Sequence, residues 1–102
     1  MSSLLNNRLK ELQNVVKNKN YGYVLPSASR YSSLAGQIAE LVTSNNLTDK
    51  KVEIEKQFTS HLKILDELYI AYPKNTDNWE WKYIQDDYNY LKIYLAKLAE
   101  VK

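Results

Sequence analysis

From Trp81 onward, apolar side chains recur at Trp81, Ile84, Tyr88, Leu91, Leu95 and Leu98, in alternating steps of three and four residues. Such steps place all of them on one face of a helix turning at about 3.6 residues, whereas a strand would alternate them between faces. A second row, Tyr83, Tyr90 and Tyr94 with Ile93, lies beside the first. The helix is therefore apolar over more than a narrow stripe and needs more than one neighbour to cover it.

The same periodicity returns upstream. Leu5, Leu9, Leu12 and Val16 predict a helix over 3–18 that stops at Asn18-Lys19-Asn20, where short polar side chains compete with helical hydrogen bonds. Tyr21-Gly22-Tyr23-Val24-Leu25-Pro26 reads as a loop by its Gly and Pro, although its content is apolar. Ser27 then caps a second helix to about Ser44, with Tyr31, Leu34, Ile38, Leu41 and Val42 as its apolar face. Its small residues Ser32, Ser33, Ala35, Gly36 and Ala39 would let another backbone come close. After Ser44-Asn45-Asn46, Thr48 reads as an N-cap with Leu47 and Val52 as a hydrophobic staple. That third helix carries Ile54, Phe58, Leu62, Leu65, Leu68 and Tyr72 until Pro73 stops it. Asp77, with Glu80 three residues later, opens the fourth.

With two glycines and two prolines, the chain lacks the turn material of a many-stranded fold. The expectation is an all-α domain, 1–102, of four helices in two helix–loop–helix hairpins, 1–47 and 48–102. Helices three and four should meet through Phe58, Leu62, Leu65, Ile84, Tyr88, Leu91 and Leu95. The halves also resemble each other. Arg8-Leu9-Lys10-Glu11-Leu12-Gln13 parallels His61-Leu62-Lys63-Ile64-Leu65-Asp66, and Ile38-Ala39-Glu40-Leu41 parallels Leu98-Ala99-Glu100-Val101. These matches are short and also arise by chance in helical proteins. An internal repeat would relate the hairpins by a pseudo-twofold axis with a groove between them.

Chemistry is sparsely provided for. There is no cysteine and one histidine, His61, with no carboxylate three or four residues away to orient it. The pairs Asp66-Glu67 and Asp86-Asp87 are neighbours that diverge on a helix, so both read as solvated faces. No catalytic, metal or nucleotide motif is present, and the expectation is a non-enzymatic protein with no cofactor, no metal and no small-molecule substrate. No run is long enough to span a membrane. The start, Met1 to Arg8, lacks the charged and apolar regions of a signal peptide, which leads to the expectation of an intracellular protein.

Binding remains. Nine tyrosines and two tryptophans stand against one phenylalanine. Rings with a polar handle suit core rims and interfaces alike. Tyr21, Tyr23, Leu25, Tyr72, Trp79, Tyr83, Tyr90 and Tyr94 fall in loops or off the inner seam, and form the candidate partner-binding set for a protein or peptide in the inter-hairpin groove. A homodimer is another form this interaction could take. Nucleic acid ranks below. Residues 1–35 carry a net +4 and the remainder −2, and Arg8, Lys17, Lys19 and Arg30 flank Tyr21 and Tyr23 as single-strand binders combine charge and rings. Four such contacts give only modest, salt-sensitive affinity.

With Trp79-Glu80-Trp81-Lys82-Tyr83 and Asp87-Tyr88-Asn89-Tyr90-Leu91 in two Lys-, Tyr- and Asn-rich helical halves, the chain resembles the small uncharacterised proteins of filamentous viruses that infect hyperthermophilic archaea. The resemblance implies a viral protein acting inside an archaeal host cell and assigns no functional residue.

Overall fold

The computed structural model describes residues 3–73 and 80–101. Four helices follow one another: α1 (Ser3–Lys17), α2 (Val24–Ser44), α3 (Thr48–Ala71) and α4 (Trp81–Ala99). The all-α expectation holds. The expected cap at Asp77 lies outside the described residues, and α4 is first wound at Trp81, after Glu80.

The two polar breaks stop their helices by the same device. At the end of α1, Lys19 turns left-handed at φ 60°, and the Asn20 and Lys19 amides donate back to the Val15 and Val16 carbonyls at 2.9 and 3.1 Å. At the end of α2, Asn46 at φ 50° lets Leu47 and Asn46 donate to Val42 and Thr43 at 3.0 and 3.3 Å. Both are Schellman motifs, which satisfy carbonyls a helix end would leave open. Glycine adopts this conformation without a Cβ clash. Lys19→Gly should therefore raise stability by about 0.5–1 kcal/mol. A lower melting temperature would show that the lysine side chain contributes more than its backbone conformation costs.

Three boundaries depart from the sequence reading. The apolar stretch after Asn20 is not an open loop, because Tyr21–Tyr23 forms a 3-10 turn that runs directly into α2. Pro26 sits in the first turn of α2, where a missing amide hydrogen costs nothing. Ser27 is accordingly a buried residue inside the helix and not its cap. The Leu47–Val52 staple does not form. Leu47 ends one Schellman motif and is itself the N-cap of α3, so it packs back on the core while Val52 stays 55% exposed. The predicted end of α3 holds, with Tyr72 extended before Pro73.

The hairpins α1–α2 and α3–α4 each pack along their length, but the most extensive helix pair is α2 with α4. Leu25 and Ala28 lie near Tyr83, Gly36 under Tyr94, and Thr43 near Lys97, so these two helices run parallel. Parallel neighbours are the diagonal partners of an up-down-up-down bundle. Here that diagonal has closed, and α1 meets α3 at only a few positions, Asn6 against Gln57 and His61 among them. The small residues of α2 explain it. Ala28, Ala35 and Ala39 are buried, and a Cβ on Gly36 would stand 2.8 Å from the Tyr94 hydroxyl. The inter-hairpin groove expected from the sequence is therefore filled over most of its length by the α2/α4 contact. Among the described residues the halves also pack unequally, since α3 approaches α2 whereas α1 makes no matching approach to α4.

The core runs through all four helices: Leu5, Leu9 and Leu12 from α1, Val24, Tyr31 and Val42 from α2, Ile54, Phe58 and Leu65 from α3, and Ile84, Leu91 and Leu98 from α4. Lys51 donates to the Val101 carbonyl at 2.8 Å and ties the start of α3 to the residues after α4.

Candidate functional site: a cleft between α2 and α4

Toward the N-terminal ends of α2 and α4 their contact opens into a cleft of about 260 Å³, lined by Leu25, Ala28, Ser29, Ser32 and Ser33 from α2 and by Tyr83, Asp86, Asp87 and Tyr90 from α4. Spacing explains the lining. Leu25, Ser29, Ser32 and Ser33 fall on one face of α2, and Tyr83, Asp86, Asp87 and Tyr90 on one face of α4.

Of the eight candidate residues, the structure brings Leu25, Tyr83 and Tyr90 together here. Leu25 and Tyr90 are each 45% exposed, a large free area for side chains that water solvates poorly. Tyr94 stacks on Tyr90 with ring centroids 6.3 Å apart, yet is itself half-buried over Gly36 and Phe58. It supports the cleft from within. Tyr23, 66% exposed, stands in the turn before Leu25.

Two members of the set are not surface residues. Tyr72 is buried and packs on Tyr21 at 4.9 Å between ring centroids, and Tyr21 is half-buried against the core. The pair closes one end of the bundle, because the extended residue before Pro73 turns its ring inward. Trp79 lies outside the described residues. The basic group is also altered. Arg8 and Arg30 both reach Glu11, at 2.9 and 3.4 Å, in a shallow depression between α1 and α2, and Tyr21 is turned away into the core contact.

Asp87 and His61 are both buried, and the first of them corrects the sequence reading. Asp87, expected on a solvated face, is only 2% exposed and forms part of the cleft wall. Its Oδ2 accepts no hydrogen bond among the described residues. Burial, and after it the neighbouring Asp86 carboxylate, push the Asp87 carboxyl up to about 8, against a smaller opposing pull from the Ser32 hydroxyl. The signal was in the spacing: Asp87 stands three residues after Ile84 and four before Leu91, within the buried stripe.

His61 is buried as well, three residues after Phe58 and four before Leu65. Its Nε2 lies 2.8 Å from Asn6 Oδ1, which also accepts from Gln57 at 2.9 Å. A carbonyl oxygen only accepts, so Nε2 carries the proton and Nδ1 is left to accept from the Tyr31 hydroxyl at 2.8 Å. Burial lowers this imidazole to about 4 and raises the Tyr31 phenol above its ordinary value, with the Asp87 charge adding to the latter. Asn6, His61 and Tyr31 thus cross-link α1, α3 and α2 through a satisfied neutral network. His61 does not line the cleft. Its partners come from other helices, which no spacing within its own helix could reveal.

Among the described residues no group of three or more His, Asp and Glu stands close enough to hold a metal ion, and no helix is long and apolar enough to cross a membrane. Comparison of the chain with protein-family models, with curated proteins and with solved structures finds no match.

Proposed function

We propose that this chain is a non-enzymatic peptide-binding module, and that a basic segment of a partner protein seats in the α2/α4 cleft against Leu25, Tyr83 and Tyr90. The observation that carries this reading is the convergence of those three side chains, from two helices, on a cleft that also holds Asp86 and Asp87. Apolar and aromatic walls supply area at small entropic cost, and the carboxyl groups select positive charge. The volume, about 260 Å³, falls below the roughly 300–1,000 Å³ of ordinary ligand pockets, so one or two side chains fit it better than a whole cofactor. His61, the one imidazole, is fully engaged away from the cleft, which favours binding over acid–base catalysis. Extending the resemblance to archaeal viral proteins, we further propose that the partner is met inside an infected host cell.

Selection of peptides from a random library on the immobilised chain, with a Tyr83→Ala/Tyr90→Ala counter-screen, tests the reading. Peptides enriched on the wild type should bind the double variant at least about 30-fold more weakly, the loss of one or more hot-spot rings. Helix content by circular dichroism should stay unchanged. Peptides that bind both proteins alike would place docking elsewhere, and a double variant that unfolds would make those rings part of the core.

A further inference from the structure

Resting on the peptide-binding reading, we infer that the inner end of the α2/α4 cleft receives one lysine ammonium of the bound peptide, with the Asp87 carboxylate as its counter-ion. The geometry leaves that carboxylate incomplete. Asp87 is 2% exposed, its Oδ2 is unpartnered among the described residues, and Asp86 beside it adds charge of the same sign. The basic residues nearest along α4 are turned to other rings: Lys82 lies over Trp81 at 6.0 Å and Lys92 over Tyr88 at 5.7 Å. The two arginines of α1 and α2 share Glu11. A buried carboxylate with no cation is strongly unfavourable, and an incoming cation removes that penalty.

The surroundings choose an ammonium over other cations. A guanidinium binds best as a fork on two free oxygens, whereas here the Ser32 hydroxyl already engages the carboxyl and Oδ2 is left buried without a partner among the described residues. An ammonium carries three donors on a compact centre. Asp87 can take one, and the Ser29, Ser32 and Ser33 hydroxyls lining the same cleft offer further acceptors. The Tyr83 and Tyr90 rings line the same cleft, Tyr90 being 45% exposed, and can cover the methylene stem and favour the charge through their faces. A divalent cation would want about six oxygens in a closed shell, and among the described residues no third carboxylate or imidazole stands close enough to join Asp86 and Asp87.

Proton release is the signature. The free cleft holds Asp87 protonated up to about pH 8, so an ammonium binding below that pH must displace the proton to solvent. The other groups facing Asp87 are Asp86 on its own helix, Tyr94 one turn beyond Tyr90, and Tyr31 and Ser32 from α2, with His61 of α3 behind Tyr31. His61 titrates near 4, and the Tyr31 and Tyr94 phenols are raised, so neither histidine nor these phenols change charge between pH 6 and 8. Affinity should then climb toward tenfold per pH unit across that window.

The test is a titration of the full-length chain with n-butylammonium chloride, followed by ¹H–¹⁵N NMR at pH 8 and constant ionic strength. Methylguanidinium chloride, magnesium chloride and butanol serve as parallel probes. Saturable shifts confined to residues 29–33 and 83–90, with a dissociation constant on the order of millimolar, are expected for n-butylammonium. They should weaken about fivefold by pH 7 and at least tenfold in Asp87→Asn. That variant mimics the protonated carboxyl, so it keeps the fold. Equal binding by Asp87→Asn, preference for methylguanidinium or magnesium, or no saturable shift would overturn the ammonium site. The library peptides separate the two readings. Peptides that need Tyr83 and Tyr90 but ignore Asp87→Asn, and lose nothing when lysine becomes norleucine, sink the ammonium site and leave peptide docking intact. Butylammonium binding with no such peptide sinks peptide docking and, with it, lysine as the source of the cation.

Discussion

Asp87→Asn should stabilise the protein at pH 8 by roughly 2–5 kcal/mol, an unusual sign for a change at a buried polar position. The folded chain holds this carboxyl from its ordinary value of 3.8 up to about 8. Folded protein therefore keeps a proton that unfolded protein has lost, and stability is full below about pH 4 and declines as pH rises to 8. His61 acts in the opposite direction. Its folded value, about 4 against an ordinary 6.5, means that the unfolded chain takes the proton first, so this contribution is full above 6.5 and lost as pH falls toward 4. Between about pH 4 and 6.5 the two slopes nearly cancel. From 6.5 to 8 only Asp87 remains, and the wild type should lose roughly 2 kcal/mol over that interval. Without the carboxyl, stability should rise from pH 4 to 6.5 and then stay level. Urea denaturation at half-unit pH steps checks both profiles, and a variant less stable than wild type at pH 8 would mean that Asp87 already has a cation.

Phe58→Ala should cost about 3–5 kcal/mol, about a fifth or more of the roughly 5–15 kcal/mol expected for a domain of this size. Phe58 is fully buried in α3, between Ile54 and Leu65 along the stripe, with the Tyr94 ring at 6.5 Å. Its removal leaves a cavity beside the ring that supports the cleft, so Tyr90 and Tyr94 should lose their fixed stacking as well. Val52→Ala on the same helix is the control. That side chain is 55% exposed, and its replacement should stay within about 0.5 kcal/mol. Equal losses at the two positions would reverse the inner and outer faces of α3.

Much of this fold could be read from periodicity, since a 3.6-residue repeat reports a buried face whatever covers it. Leu5, Leu9 and Leu12, or Ile84, Leu91 and Leu98, declare their helices without reference to any neighbour. The helix ends near Asn20 and Asn46 are legible because short polar side chains compete locally with helical hydrogen bonds, although at the first of them it is Lys19 that takes the left-handed conformation. What the pattern could not supply was which helices would close on each other. Ala28, Ala35, Gly36 and Ala39 hinted at a close approach, but their partner depended on the volumes of Tyr83 and Tyr94 across the gap.

The same limit governs the cleft. Leu25, Tyr83 and Tyr90 could be singled out as rings and apolar groups off the inner seam, and they do converge. Tyr72 could not be told from them, because its burial follows from Tyr21, fifty-one positions earlier in the chain. Asp87 and His61 both fall on the buried stripes, but adjacent aspartates usually face water, and the helix of His61 carries no partner for it within a turn. A polar residue in register with a core stripe is better taken as a sign of a buried partner or a missing one. His61 has its partners in Asn6 and Tyr31, and Asp87 does not.

Docking in the α2/α4 cleft is tested most directly by adding a library-selected peptide to the ¹⁵N-labelled chain and mapping which amides move. Shifts should concentrate at residues 25–33 and 83–90 and disappear in the Tyr83→Ala/Tyr90→Ala variant. Shifts centred instead on Arg8, Arg30 and the α1/α2 depression, or unchanged by the double substitution, would contradict the assignment of the cleft as the binding site.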